Sequence, residues 1–177
     1  RIVYAASCSV YGDLPAPYRD DGPVYPLNPY AESKLTLDEA AMAFARERPD
    51  VTVNGLRYPN VYGPRENHKG KRATMIYQFA GAMLRGNPRL FQFGEQKRDY
   101  IYVEDVVRTN LLAAVARGSF VVNCGSGTAT SFNELVAMLN EVLRTNRVPE
   151  YIENPYRGRY QEHTECDMRR ARALLGF

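Results

Sequence analysis

Arg1-Ile2-Val3-Tyr4-Ala5-Ala6-Ser7-Cys8-Ser9 opens the chain, and its reading decides the fold. An apolar run ending in small residues has the pattern of a buried parallel strand followed by the loop at its carboxyl end. It begins as the middle of a buried strand begins, with neither a leader peptide nor a plausible domain start, so a region before Arg1 is expected. Outward from it, the proline-rich stretch Tyr11 to Pro29 is a long ordered loop. Asn28-Pro29 supplies a cap and a first-turn proline for a helix from about Tyr30 to Arg48, which Pro49-Asp50 stops. Val51 to Tyr58, alternating and β-branched, is a second strand, and it runs into the loop Pro59 to Pro64.

The alternation continues to the end of the chain. A helix is expected from about Thr74 to Arg85, closed by Gly86-Asn87-Pro88. Short strands near Leu90–Phe93 and Tyr100–Val103 flank a polar turn, Gly94–Asp99. Glu104 to Arg117 reads as helix, Phe120–Cys124 as strand, and Ser131 to Arg144 as a helix with Ser131 and Glu134 as its capping box. An extended stretch near Tyr151–Ile152 and a charged helix from about Asp167 to Leu175 follow. Strands and helices in this order predict an α/β fold on a parallel sheet.

Composition narrows the function. At 177 residues with 45% apolar and 24% charged side chains, the chain is one domain or parts of two, with a real core. A net charge of +3 is too small and dispersed to argue for nucleic acid. No apolar run approaches the ~20 residues that cross a bilayer, so no membrane partner is expected. Cys8, Cys124 and Cys166 are odd in number and lack metal spacing, which suits reduced thiols in the cytoplasm. His68 and His163 are too few and too far apart for a metal site. Lysines are scarce: Lys34, Lys69, Lys71 and Lys97 are four of 23 basic residues. A buried lysine, unlike an arginine, can give up its proton near neutral pH.

Tyr30 and Lys34 carry the chemistry. Residues four apart share a helix face. A phenol of pKa near 10 is a poor base at neutral pH, but a neighbouring ammonium stabilises the phenolate and poises it for acid/base work. Ser7, at the strand end, is set to hydrogen-bond the oxygen whose proton moves. Together they suit alcohol–ketone interconversion, a nicotinamide taking the hydride. With 13 tyrosines and four lysines, such a pair arises by chance about 0.3 times per chain; its place at a helix start behind Ser7 and Ser9 gives it weight. The bland alternative is an exposed pair near a helix cap. A dinucleotide fold also needs a Gly-x-Gly-x-x-Gly-type turn after its first strand. The tight pair here, Gly125-Ser126-Gly127, follows a late strand and has Thr130 where a third glycine belongs.

Four segments, in order, resemble a known family: Ser7-Cys8-Ser9-Val10-Tyr11-Gly12, Tyr30-Ala31-Glu32-Ser33-Lys34, Arg57-Tyr58-Pro59-Asn60-Val61-Tyr62-Gly63-Pro64-Arg65 and Lys97-Arg98-Asp99-Tyr100-Ile101-Tyr102-Val103-Glu104-Asp105-Val106. They look like the successive motifs of the extended short-chain dehydrogenase/reductases, the nucleotide-sugar epimerases and dehydratases, over essentially the whole chain. Glu66-Asn67-His68-Lys69-Gly70 and Gly158-Arg159-Tyr160-Gln161 resemble the ADP-glycero-manno-heptose 6-epimerases most.

The resemblance implies the C-terminal part of a doubly wound parallel (Rossmann) sheet, residues 1–60 and about 95–125, interleaved with a small substrate-binding subdomain, about 61–94 and 126–177. It implies NAD or NADP as cofactor and a nucleotide-diphosphate sugar as substrate, epimerised through a transient ketone. Ser7, Tyr30, Lys34 and Lys69 would be catalytic, with Lys69 serving the face opposite Tyr30. Tyr30, Lys34, Tyr58, Val61 and Lys69 would meet the cofactor. Ser7, Ser9, Asn60, Gln78, Phe91, Arg98 and Tyr160 would meet the substrate. For Lys69 a solvated loop lysine or a phosphate contact stays open, for Arg98 an ion pair with Asp99 or Glu95, and for Tyr160 core packing. A homodimer through the helix 30–48 is also implied.

Departures from the pattern carry information. Ala6 stands where many relatives have serine. Cys8-Ser9 replaces the Asp-Glu with which dehydratases expel water, so dehydration is disfavoured. Pro59 cannot donate a backbone N–H to the cofactor. The last residues, Leu174-Leu175-Gly176-Phe177, fall where relatives continue. The expected activity therefore belongs to the full-length protein. A UDP-glucose or UDP-uronate 4-epimerase is the enzyme alternative, and a non-catalytic truncated sugar-nucleotide-binding fragment is the other.

Overall fold

Three parallel strands hold the end of the chain's first apolar run in place. In the computed structural model, which describes residues 1–155 and 161–177, β1 (Ile2–Ser7), β2 (Val53–Tyr58) and a third strand, Phe120–Asn123, form a sheet with β2 in the centre. Ser7 pairs in register with Tyr58, and Arg57 with Asn123. The central position explains why five of the six β2 residues are buried. Helix α1 (Pro29–Glu47) crosses from β1 to β2; the Asn28 side chain accepts the Ala31 amide at 2.9 Å and Pro29 takes the first turn.

The middle of the chain builds a second layer. β3 (Asn60–Tyr62) is followed by α2 (Met75–Met83), β4 (Arg89–Phe91), β5 (Lys97–Tyr102) and α3 (Val103–Val115). The third strand of the first sheet is thus β6 (Phe120–Asn123), and β7 (Ala129–Ser131), α4 (Phe132–Leu143), β8 (Glu150–Ile152) and α5 (Arg169–Leu175) complete the order. β5 pairs parallel with β3 and antiparallel with β7, while β4 pairs with β8. Ser131 and Glu134 make the capping box of α4. One core lies beneath the first sheet, including Leu56, Val122 and Tyr18, and a second lies between α2 and α4, including Phe79, Met83 and Phe132.

Two expectations are corrected. Gly94–Asp99 is not wholly a turn, because Lys97, Arg98 and Asp99 pair with Ser131, Thr130 and Ala129. Their polarity suggests solvent, yet Arg98 and Asp99 are buried. The segment after Pro59 is not only a loop, since Asn60–Tyr62 pairs with Tyr100–Tyr102. Other element ends differ by one to three residues, as helix and strand ends ordinarily do.

Two buried polar hubs fix the layers. Asp38 on α1 accepts Arg57 Nε at 2.9 Å and the Tyr4 hydroxyl at 2.9 Å; Arg57 also donates to Tyr11, which donates to Asn123. Burial, followed by the charge of Asp38, pushes the Tyr4 phenol well above its usual range. Asp99 accepts the amides of Ser126, Gly127 and Cys166 and the Ser126 hydroxyl. Among the described residues, no helix is long and apolar enough to cross a membrane.

Candidate active site

The carboxyl ends of β1 and β2, the start of α1 and the segment before α2 enclose a cleft of about 580 Å³. Ser7 closes β1 and caps the short 3₁₀ turn Cys8–Tyr11, its Oγ accepting the Ser9 amide at 3.2 Å. That contact uses a lone pair and leaves the hydroxyl proton free to donate. Tyr30 and Lys34 stand in the first turns of α1. Lys34 Nζ donates to Ala5 O at 2.9 Å and lies 5.9 Å from the centre of the Tyr30 ring. Tyr30 is 57% exposed, and its hydroxyl has no hydrogen-bond partner among the described residues.

The opposite wall comes from β3, the 3₁₀ segment Asn67–Arg72 and α2. Asn60 Nδ2 donates to Asp99 O at 3.0 Å. Gln78 Nε2 donates to Ala73 O at 2.6 Å, so it supports the loop while lining the cleft. The Tyr58 hydroxyl accepts Asn110 Nδ2 at 2.7 Å, and burial pushes its phenol up to about 12, so it stays protonated at neutral pH. Arg98 sits over the Phe132 ring and donates to Lys97 O at 2.7 Å. Asp99 accepts the amides of Ser126 and Gly127, and Glu95 accepts Asn133 Nδ2.

Lys69 Nζ reaches Glu66 Oε2 at 3.4 Å. Burial of Glu66 works against its negative charge, but hydrogen bonds from Thr74 N, Thr74 Oγ and Gly63 N, together with the Lys69 ammonium, outweigh it and hold the carboxyl below its usual value.

Of the residues singled out in the sequence, Ser7, Tyr30, Lys34, Tyr58, Asn60, Val61, Lys69, Gln78 and Arg98 line this one cleft. Ser9 and Phe91 do not: Ser9 turns into the 3₁₀ segment and Phe91 lies on β4 against β8. Tyr160, with most of its motif, lies outside the described residues. Lys71, Arg72, Thr74 and Met75 also line the cleft and were not anticipated. Their signal was there in the basic cluster after Lys69 and in a capping threonine. Lys34, Lys69, Lys71, Arg72 and Arg98 are all basic, and among the described residues no carboxylate lines the same walls.

The Gly125-Ser126-Gly127 turn is no phosphate cradle, because the amides of Ser126 and Gly127 are spent on the Asp99 carboxylate. It borders a separate pocket of about 340 Å³ with Tyr62, Tyr102 and Arg172. The three cysteines are free and buried, with Cys8 and Cys166 sulfurs 3.4 Å apart.

A cleft that joins a phenol, three ammoniums and a strand-end hydroxyl can move protons at a carbinol beside an anionic group. Known proteins are similar to the chain in sequence and fold. The model of the NAD dependent epimerase/dehydratase family matches residues 1–125. The chain is 38% identical to the ADP-L-glycero-D-manno-heptose-6-epimerase of Brachyspira hyodysenteriae, over 98% of this chain and 56% of that protein. The crystal structure of the Helicobacter pylori enzyme of the same name superposes with a TM-score of 0.89 at 40% identity, covering 99% of this chain and 54% of that one. UDP-glucose 4-epimerase of Thermotoga maritima, solved with UDP-glucose, gives 0.89 at 34% identity, covering 99% and 57%. The chain thus spans about half the length of these relatives.

Proposed function

The chain belongs to the NAD dependent epimerase/dehydratase family, and from that premise we propose that the full-length protein is an NAD(P)-dependent nucleotide-sugar epimerase of the ADP-glycero-manno-heptose 6-epimerase type. The observation that carries this reading is the composition of the cleft: Ser7, Tyr30 and Lys34 on one wall, Lys69 on the other, and five basic side chains in all with no carboxylate among the described lining residues. Five cations suit a diphosphate, and Arg98 suits it best through its planar fork.

In this scheme Tyr30 accepts the proton of the sugar hydroxyl at its phenol oxygen as the carbinol is oxidised, Lys69 protonates the carbonyl oxygen as the other face is reduced, and the two exchange roles in the reverse direction. The Ser7 hydroxyl donates to the same sugar oxygen. Lys34 offsets negative charge on the phenol oxygen, and Lys69 delivers or removes the proton when the carbonyl presents its other face. A nicotinamide bound beside them supplies the acceptance and return of a hydride. The cleft fits that end of the cofactor: Lys34 spends one N–H on Ala5 O and keeps two for ribose hydroxyls, and the Tyr30 hydroxyl faces the opening uncommitted. The 125–127 turn has no free amides to grip the cofactor's diphosphate.

Residues 1–60 and about 95–125 serve the cofactor in this reading, and about 61–94 and 126–177 the sugar nucleotide. A homodimer through α1 is part of it, supported by Leu37 and Phe44, each 39% exposed on that helix; the setting is the cytoplasm. The test is to incubate the full-length protein with ADP-glycero-manno-heptose and, separately, UDP-glucose, and to follow both epimers by proton NMR. Conversion of the heptose and not the hexose is expected. Conversion of UDP-glucose alone would replace this assignment with a 4-epimerase, and conversion of neither would favour a binding protein.

A further inference from the structure

We propose that Glu66 is a positioning residue for the reaction, holding Lys69 at the cleft wall through a saturated carboxylate. The inference rests on the reading of Lys69 as the second proton-transfer group. Glu66 is only 4% exposed, and each of its oxygens accepts two donors. Oε1 takes Gly63 N at 3.3 Å and Thr74 Oγ1 at 3.0 Å; Oε2 takes Thr74 N at 2.8 Å and Lys69 Nζ at 3.4 Å. A carboxylate offers about four lone-pair sites, so none is spare. The Lys69 amide also donates to Glu66 O at 2.9 Å.

The backbone is bent to bring this about. Arg65 adopts φ 68°, a left-handed conformation costly for a side chain with a Cβ, and Gly70 turns back at φ 54°. Between these bends lie Glu66, whose carboxylate is buried, and Lys69, and directly after the second bend Lys71 and Arg72 also line the cleft. Lys71 and Arg72 repel the Lys69 ammonium along a flexible stem. Glu66 supplies the opposing attraction from the buried side, and the two remaining N–H groups of Lys69 then face the substrate. Thr74, gripped by the same carboxylate, also caps α2 by accepting the Tyr77 amide. The helix that carries Gln78 and the loop that carries Lys69 are thus joined through one carboxylate.

The test uses the full-length protein with ADP-glycero-manno-heptose and the variants Glu66→Gln, Glu66→Asp, Lys69→Met and Glu66→Gln/Lys69→Met. Glu66→Gln is expected to lower kcat by at least about tenfold with KM within about threefold, since the lost contact orients a proton-transfer group and not the bulk of the substrate. Glu66→Asp, which keeps the charge, is expected to recover part of the loss; it also serves if the glutamine variant does not fold. The double variant is expected to be little slower than Lys69→Met alone, because the ammonium that Glu66 orients for proton transfer is gone and its remaining contacts with Gly63 and Thr74 bear on stability. A double variant slowed by the product of the two single effects would overturn the proposal while leaving Lys69 its role. Lys69→Met turning over at the wild-type rate would remove the role of Lys69 and the proposal together.

Discussion

Arg57→Met removes one half of an ion pair that the fold has taken out of water. The side chains of Arg57 and Asp38 are 8% and 4% exposed, with Nε and Oδ2 2.9 Å apart. After the substitution Asp38 retains the Tyr4 hydroxyl at 2.9 Å and no cation, and the Tyr11 hydroxyl loses the donor that now reaches it at 2.9 Å. The guanidinium's place against the Tyr11 ring, 5.2 Å from its centre, is vacated as well. An exposed pair would cost at most about 1 kcal/mol, whereas an orphaned buried charge costs about 3–5 kcal/mol. The second figure applies here. For a chain of this size each kcal/mol moves Tm by about 2–4 °C, so a fall of about 6–20 °C is expected. Circular dichroism melts and urea titrations near neutral pH would measure it. Adding Asp38→Leu to Arg57→Met is expected to return part of the loss, because the uncompensated carboxylate is gone. Asp38 lies one helical turn beyond Lys34, so the same variant should loosen α1 at the cleft and reduce turnover. A loss below about 1 kcal/mol, or a double variant less stable than the single, would refute the view that the pair anchors α1.

Three further outcomes are expected. Asp99→Ala removes a fully buried carboxylate, strands the buried Cys166 amide and takes the acceptor from the part-buried amides of Ser126 and Gly127, and should cost about 1–3 kcal/mol by urea titration, the usual cost of a buried donor left without a partner. Burial pushes the phenols of Tyr18 and Tyr58 from 10.0 up to about 12. The unfolded chain then loses those protons first, so stability should be intact below about pH 10 and decline from there toward 12, seen as falling urea midpoints. Burial likewise pushes the Cys124 thiol up to about 12, and its hydrogen bond with Cys8, then burial, raises that of Cys166. Neither should react with a thiol-titrating disulfide reagent near pH 8 until urea unfolds the protein.

How far the sequence reaches depends on which interactions are local. β1, β2 and β6 announce themselves as short runs rich in apolar and β-branched residues bounded by turn signals, although in β1 only Ala6 and Ser7 are buried. Asn28, Pro29, Tyr30 and Lys34 fall within two helical turns, so cap and catalytic face are both legible. Ser7 follows from its strand end, and Lys69 from a resemblance. The β3–β5–β7 ribbon is less legible: Lys97, Arg98 and Asp99 all look solvated, yet Arg98 and Asp99 are buried, where the pairing with Ala129–Ser131 and the amides held by Asp99 satisfy their polar groups. Arg72 and Thr74 reach the cleft because Glu66 folds the loop, a contact across eight residues that periodicity does not register. Phe91 and Ser9 fall outside the cleft for the converse reason, since position near a motif does not fix the direction of a side chain.

The most direct measurement is the rate at which full-length Tyr30→Phe interconverts the two epimers of ADP-glycero-manno-heptose, followed by proton NMR beside the wild-type protein. Tyr30 is exposed at the cleft and its hydroxyl bonds to no described residue, so the variant should fold and bind as before. Turnover is expected to fall by about 10²- to 10⁴-fold, the usual worth of a positioned acid/base. A Tyr30→Phe protein that epimerises at nearly the wild-type rate would contradict the account.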